Sequence, residues 1–114
     1  MRNDFPQTGL KPSEAIRKGC ELVPKQAFHQ IYPPKRIARS AEAACALGAM
    51  LIGARPEILA EWRADPAAVV TSRVVLEVYK MWPFRPIAGM VIHLNDTVGL
   101  SREEIADWLE ARGW

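Results

Sequence analysis

The sequence has only two cysteines and no long apolar run. Cys20 and Cys45 are far apart, unlike the closely spaced cysteines of a small secreted disulfide framework. The longest uncharged apolar run, residues 43–54, has twelve residues, whereas a helix needs about 20 to cross a bilayer. The opening MRNDFPQTGLKP lacks the apolar stretch of a signal peptide. We therefore expect a cytoplasmic protein that does not enter a membrane.

The motifs of several common chemistries are also missing. The chain has no GxxxxGK[ST], GxGxxG or HExxH, and its cysteines and histidines lack zinc-site spacing. We therefore predict a non-enzymatic protein with no metal and no cofactor. One enzymatic alternative is a thiol enzyme at Cys45, which lies near the start of a predicted helix, where a thiol pKa can be lowered. His93 with Asn95 or Asp96 would complete that set, although the apolar neighbours of Cys45 favour a core role.

The composition is that of one globular domain with a substantial core. Of 114 residues, 49% are hydrophobic and 25% are charged, which suits a single domain of this length. Residues 1–12 contain Pro6, Gly9 and Pro12 and few apolar groups. We predict an N-terminal arm over residues 1–12, followed by one compact, mainly α domain over residues 13–114.

Helix signals follow one another through the first half of this domain. Ser13 is placed to cap a helix over SEAIRKGCEL, and Pro24 to open a second over PKQAFHQIY. Ser40 is placed to cap a helix over residues 41–53, which is apolar nearly all round and is therefore predicted to be the centre of the core. Gly48 costs that helix about 1 kcal/mol relative to alanine, so we expect another backbone to approach it closely.

The apolar period of residues 69–79 fits both a helix and a strand. Four apolar residues lie at helical spacing: Val70, Val74, Val78 and Met81. Leu76 alternates with the valines on either side of it, as in a strand, and valine favours strands. Because Asp65 and Pro66 form a strong helix-opening signal, we predict a helix. If residues 69–79 are strands, the fold class becomes α+β.

The C-terminal segment has the pattern of a capped, half-buried helix. Ser101 and Glu104 have the spacing of a capping box, in which each side chain accepts a hydrogen bond from the other's amide. Ile105, Trp108 and Leu109 form the predicted buried stripe. The opposite face carries four carboxylates that would repel phosphates: Glu103, Glu104, Asp107 and Glu110. The pattern therefore does not favour a DNA-reading helix-turn-helix.

Three segments together resemble a group of small uncharacterised bacterial and phage proteins. They are SEAIRKGCEL at 13–22, CALGAM at 45–50 and IHLNDTVGLSREEIADWLE at 92–110. That group is similar in its CALGA-type helix and its C-terminal LND–SREEIADWL-type segment. The resemblance implies a shared fold unit and no particular chemistry. The basic link IYPPKRIARS is longer here than the resemblance leads us to expect.

Positive charge is concentrated in the first third of the chain. Residues 1–39 carry a net charge of +5 and residues 40–114 a net charge of −3. Basic side chains beside aromatic ones can bind an acidic protein surface, or hold a nucleic-acid backbone while a base stacks on the aromatic ring. The four tryptophans add candidate interface residues, because tryptophan is enriched at binding hot spots.

These features predict a small interaction protein that acts on a host protein as an accessory or inhibitor, and the resemblance implies an origin in a phage or mobile element. The predicted partner-binding residues are Tyr32, Lys35, Arg36, Arg39, Trp82 and Trp114. The alternative is a nucleic-acid-binding module in residues 25–39. Its predicted contact residues are Lys25, Phe28, His29, Lys35 and Arg36. The sequence leaves both the partner and the oligomeric state open.

Overall fold

The helices and strands were located in a computed structural model that describes residues 9–33, 42–83 and 87–114. The predicted contact residues Lys35, Arg36 and Arg39 lie outside these ranges. The helices are α1 (Pro12–Leu22), α2 (Ala46–Ala54), α3 (Ile58–Ala64), α4 (Thr71–Met81), α5 (Ile87–Ile92) and α6 (Arg102–Glu110). Two short strands, β1 (Lys25–Gln26) and β2 (Ala43–Ala44), pair in parallel. The predicted mainly α, single compact domain is confirmed.

The second helix, α2, is the centre of the core, as predicted. Every residue from Ala46 to Gly53 is buried. Helix α1 crosses it with the two backbones in direct contact. A β carbon built on Gly19 would lie 1.9 Å from the carbonyl oxygen of Ala49, and one built on Gly53 would lie 1.8 Å from that of Ala15. The crossing therefore depends on glycine in both helices.

The start of α2 differs from the prediction. The helix begins at Ala46, and Cys45 is its N-cap, with the Cys45 sulfur accepting a hydrogen bond from the Gly48 amide at 3.4 Å. Residues 43–44 before it form a strand instead of the predicted first helical turn. The expected close approach at Gly48 is confirmed, because a β carbon there would lie 2.7 Å from the Ile31 carbonyl oxygen.

The predicted helix over residues 24–32 is also wrong, because Lys25 and Gln26 form strand β1. Two side chains from the C-terminal third fix this backbone. The buried guanidinium of Arg102 donates hydrogen bonds to the carbonyl oxygens of Val23, Pro24 and Ala44. These carbonyls are therefore satisfied by a distant side chain, and local helical hydrogen bonds are not needed.

The buried side chain of Asn95 also fixes the backbone around β1. Its Oδ1 accepts hydrogen bonds from the Ala46 amide and the Gln26 side chain, both at 2.9 Å. Its Nδ2 donates to the Ala27 carbonyl oxygen at 3.0 Å. A single amide group thereby joins β1, the start of α2 and the π-helical turn His93–Val98 that continues α5.

The remaining helices mostly agree with the sequence. Residues 71–81 are helical, so the strand alternative for this segment is not adopted. The predicted helix start at Asp65 and Pro66 is wrong, because Pro66–Ala68 form a separate 3-10 turn and α4 begins at Thr71. The Ser101–Glu104 capping box is present in both directions. Helix α1 begins one residue earlier than predicted: Pro12 is its first residue, and the Ser13 amide donates to the Trp114 carbonyl oxygen. None of the described helices is both long enough and apolar enough to cross a membrane.

Candidate functional site

Five large apolar side chains are exposed in the described parts of the chain, and two of them line the same groove. The five are Leu22, Phe28, Val70, Leu76 and Val98. Val70 and Leu76 line a groove between α3 and α4. The other three lie near β1 and the π-helical turn. Exposed apolar residues that share a concave surface are the stronger sign of a binding site.

The groove encloses about 640 Å³. Buried apolar side chains from three helices form its floor: Leu51, Ile58, Trp62 and Val74. Val70 and Leu76 stand on the α4 side and are 46% and 54% exposed. Pockets of about 300–1,000 Å³ with mainly apolar linings are typical of binding sites. The groove is therefore large enough and apolar enough to bind part of another molecule.

The helical period of α4 explains why Leu76 faces solvent. Val74, Val78 and Met81 face the core. Leu76 is two residues from Val74 and two from Val78, so it points away from the core and lines the outer edge of the groove, whereas Val74 lines the floor. Within the described chain, Leu76 is 54% exposed. Leu76 is not among the contact residues predicted from the sequence, although its position off the buried stripe was a usable signal.

Some of the charged groups around the groove form ion pairs, and others form none with any described residue. The Arg55 guanidinium lies 2.7 Å from the Glu77 carboxylate, and the Lys80 ammonium lies 3.1 Å from it. The hydrogen bond from Lys80, aided by Arg55, lowers the pKa of Glu77 below its ordinary value. By contrast, Glu61 and Asp65 form no ion pair with any residue in the described ranges. The α3 side of the groove therefore carries two carboxylates without a described cation.

Trp62, part of the groove floor, packs against Tyr32, whose hydroxyl belongs to a small polar cluster. The rings of Tyr32 and Trp62 are 5.4 Å apart and tilted by 49°. The Tyr32 hydroxyl donates to the Glu42 carboxylate, which also accepts two hydrogen bonds from Arg63 at 2.7 and 2.9 Å. Burial, followed by the Glu42 carboxylate, raises the pKa of Tyr32 to about 12. Tyr32, predicted to contact a partner, is in fact buried and helps to hold the groove floor.

The two tryptophans predicted to bind a partner also have internal roles. Trp82 is fully buried, and its indole N–H donates to the Leu10 carbonyl oxygen. Its ring therefore cannot contact a partner in this conformation, which corrects the prediction that Trp82 binds a partner. Trp114 is half-buried against the core, and its carbonyl oxygen accepts from the Ser13 amide. Trp114 thus joins the C-terminal segment to α1.

Three of the residues predicted to contact nucleic acid lie in the described ranges, in β1 and in the segment that follows it. Lys25, Phe28 and His29 are all exposed, and the Phe28 residue is 48% exposed. His29 has φ of +64°, in the left-handed region, and its amide donates to Asp96 Oδ1 at 2.8 Å. A left-handed histidine costs backbone energy that the surrounding structure must offset. The structure therefore presents Phe28 outward on a turn fixed by Asp96.

The structure gives little support to a thiol site at Cys45. The thiol is buried, and burial raises its pKa to about 11 despite hydrogen bonds from nearby amides. An activated thiol needs a lowered pKa. His93 is exposed, and both ends of the Asn95 amide are occupied by structural hydrogen bonds. Within the described ranges, no three His, Cys, Asp or Glu side chains are grouped as metal ligands would be.

Comparison with known proteins gave no match to a family model, a curated protein or a solved structure. The resemblance to small bacterial and phage proteins therefore stays a prediction.

Proposed function

We propose that this protein is a small non-enzymatic interaction protein that binds another protein through the groove between α3 and α4. The groove itself is the observation that carries the proposal: an apolar floor with Val70 and Leu76 exposed beside it. Full burial of a leucine or valine side chain contributes about 1.5–3 kcal/mol. Burial of both side chains by a partner would therefore supply a substantial part of the free energy of a specific complex.

We propose that it acts as an accessory or inhibitor on a host protein, and the resemblance to small bacterial and phage proteins is the reason for proposing an origin in a phage or mobile element. The acidic carboxylates of the groove favour a protein occupant over a nucleic acid, because phosphates would be repelled by Glu61 and Asp65. Binding through a preformed groove needs no catalytic group.

The test compares Leu76→Glu with a matched control, Val98→Glu. The two residues are 54% and 53% exposed, but only Leu76 lines the groove. Each purified protein would be used for affinity capture from bacterial lysate, with nuclease present, followed by mass spectrometry. We expect a protein captured by the wild type and by Val98→Glu to be lost with Leu76→Glu. Equal capture by both variants, with unchanged thermal melts, would contradict the proposal.

Nucleic-acid binding is the second candidate function, and the exposure of Phe28 favours it. Phe28 lies in a turn close to the exposed cation Lys25, and a base stacked on an aromatic ring is worth about 1–3 kcal/mol. Phe28→Ala should then reduce retention on single-stranded DNA at about 50 mM salt, a low-salt condition that favours phosphate contacts. If the wild type shows no retention there, this candidate is eliminated.

A further inference from the structure

We infer that the groove binds an amphipathic protein segment that carries apolar side chains for the floor and a Lys or Arg side chain for Glu61 and Asp65. This inference rests on the proposed function and names the chemistry of the partner. It depends on the charges of the groove, whereas the proposed function depends on its apolar lining. The two can therefore fail separately.

Glu61 and Asp65 are an unfavourable pair in the isolated chain. They are four residues apart, so they lie on the same side of the helix and repel each other. Asp65 is also the C-cap of α3, where the helix dipole disfavours negative charge. Within the described chain, its side chain forms no capping hydrogen bond to the following turn, Pro66–Ala68. A cation from a partner would relieve both repulsions at once.

The other charged groups of the groove define where that cation would lie. Arg55 and Glu77 already pair with each other, so neither offers a free charge. Arg73, on α4, forms no ion pair within the described ranges. Among the described residues, the groove charges without an ion pair are therefore negative on the α3 side and positive on the α4 side. A bound segment should direct its Lys or Arg side chain towards α3 and away from Arg73.

The inference can be tested with a displayed library of random peptides. Selection on the wild type, with Leu76→Glu as the counter-selection target, isolates peptides that need the apolar groove. We expect these peptides to be enriched in large apolar residues and also in Lys or Arg. An enriched peptide would then be synthesised and its Kd measured by fluorescence anisotropy.

Neutral carboxylate replacements isolate the charge contribution. The double variant Glu61→Gln with Asp65→Asn should weaken binding of the enriched peptide by about tenfold at low salt, because two exposed ion pairs with the peptide would be lost. The loss should shrink as salt is added, because the charges are exposed. Arg73→Gln should leave binding unchanged or strengthen it. Glu103→Gln, the same kind of change at an exposed site on α6, is the matched control and should have no effect.

Each alternative outcome has a distinct meaning. Peptides that depend on Leu76 but are not enriched in Lys or Arg would overturn this inference and leave the proposed function intact. Peptides that bind Leu76→Glu as well as the wild type would overturn both. Light-scattering evidence of a dimer that Leu76→Glu dissociates would also overturn the inference, because the occupant would then be a second copy of this chain. Circular dichroism melts of all variants would show whether folding is retained.

Discussion

Gly19 of α1 lies against the backbone of Ala49 in α2, and a β carbon on Gly19 would stand 1.9 Å from the Ala49 carbonyl oxygen. The contact is between rigid backbones, so a flexible side chain cannot move away to make room. Gly53 makes the reciprocal contact with Ala15. Two glycines on facing helices therefore set the distance between α1 and the core helix.

Replacing either of these glycines with alanine should force the helices apart. We expect Gly19→Ala and Gly53→Ala each to lower the free energy of unfolding by about 3 kcal/mol or more, at the upper end of overpacking costs. Gly89→Ala is the control, because Gly89 is also helical but a β carbon there meets nothing within 4 Å. It should be neutral or gain up to about 1 kcal/mol. Urea denaturation of the three variants measures the difference, and similar values for all three would contradict this role.

Sequence patterns predicted the parts of the fold that local interactions determine. The capping box at Ser101 and Glu104 is an interaction between residues three apart, and it is present as expected. The helical stripe through Val74 and Val78 also predicted α4 correctly. In both cases the residues that determine the element lie within it or beside it.

Predictions from sequence patterns were wrong where distant side chains determine the backbone conformation. Pro24 has the pattern of a helix start, but its carbonyl oxygen accepts a hydrogen bond from Arg102. The start of α2 is likewise fixed at Ala46, whose amide donates to Asn95. No local pattern contains either contact. The same limit applies to the groove, because its floor combines residues from three separate helices.

The ion pairs of Glu77 should make stability depend on pH. Since Lys80, and then Arg55, lower the pKa of Glu77 from 4.5, the ionised carboxylate stabilises the folded state. This contribution is present above pH 4.5 and is lost as the pH falls through the lower folded-state pKa. The pairs are partly exposed, so Glu77→Gln should cost less than about 1 kcal/mol at neutral pH. Denaturation curves of variant and wild type should converge in acid and in high salt, and a constant difference would contradict this assignment.

The two cysteines should differ in their accessibility to a thiol reagent. Cys45 is 5% exposed, whereas Cys20 is half-buried, and burial raises the pKa of each thiol to about 11. Iodoacetamide near neutral pH should leave Cys45 of the native protein unmodified until denaturant unfolds it. Cys20 should react slowly and should be the first to be labelled. Mass spectrometry of the digested protein identifies the labelled site, and faster native labelling of Cys45 than of Cys20 would favour the thiol-enzyme alternative.

The left-handed backbone conformation at position 29 should cost less free energy for glycine than for histidine. With φ of +64°, His29 occupies a left-handed conformation that costs a side-chain-bearing residue about 1–2 kcal/mol. Its hydrogen bond to Asp96 uses the backbone amide and would remain in the variant. Glycine is more flexible in the unfolded chain, which offsets part of the gain, so His29→Gly should raise the free energy of unfolding by up to about 1 kcal/mol. His93→Gly is the matched control: His93 is also exposed but lies in the π-helical turn, where glycine should cost about 1 kcal/mol. Thermal and urea denaturation should therefore shift in opposite directions for the two histidines, and a loss of stability in His29→Gly equal to that in His93→Gly would mean that contacts of the imidazole ring outweigh the backbone cost.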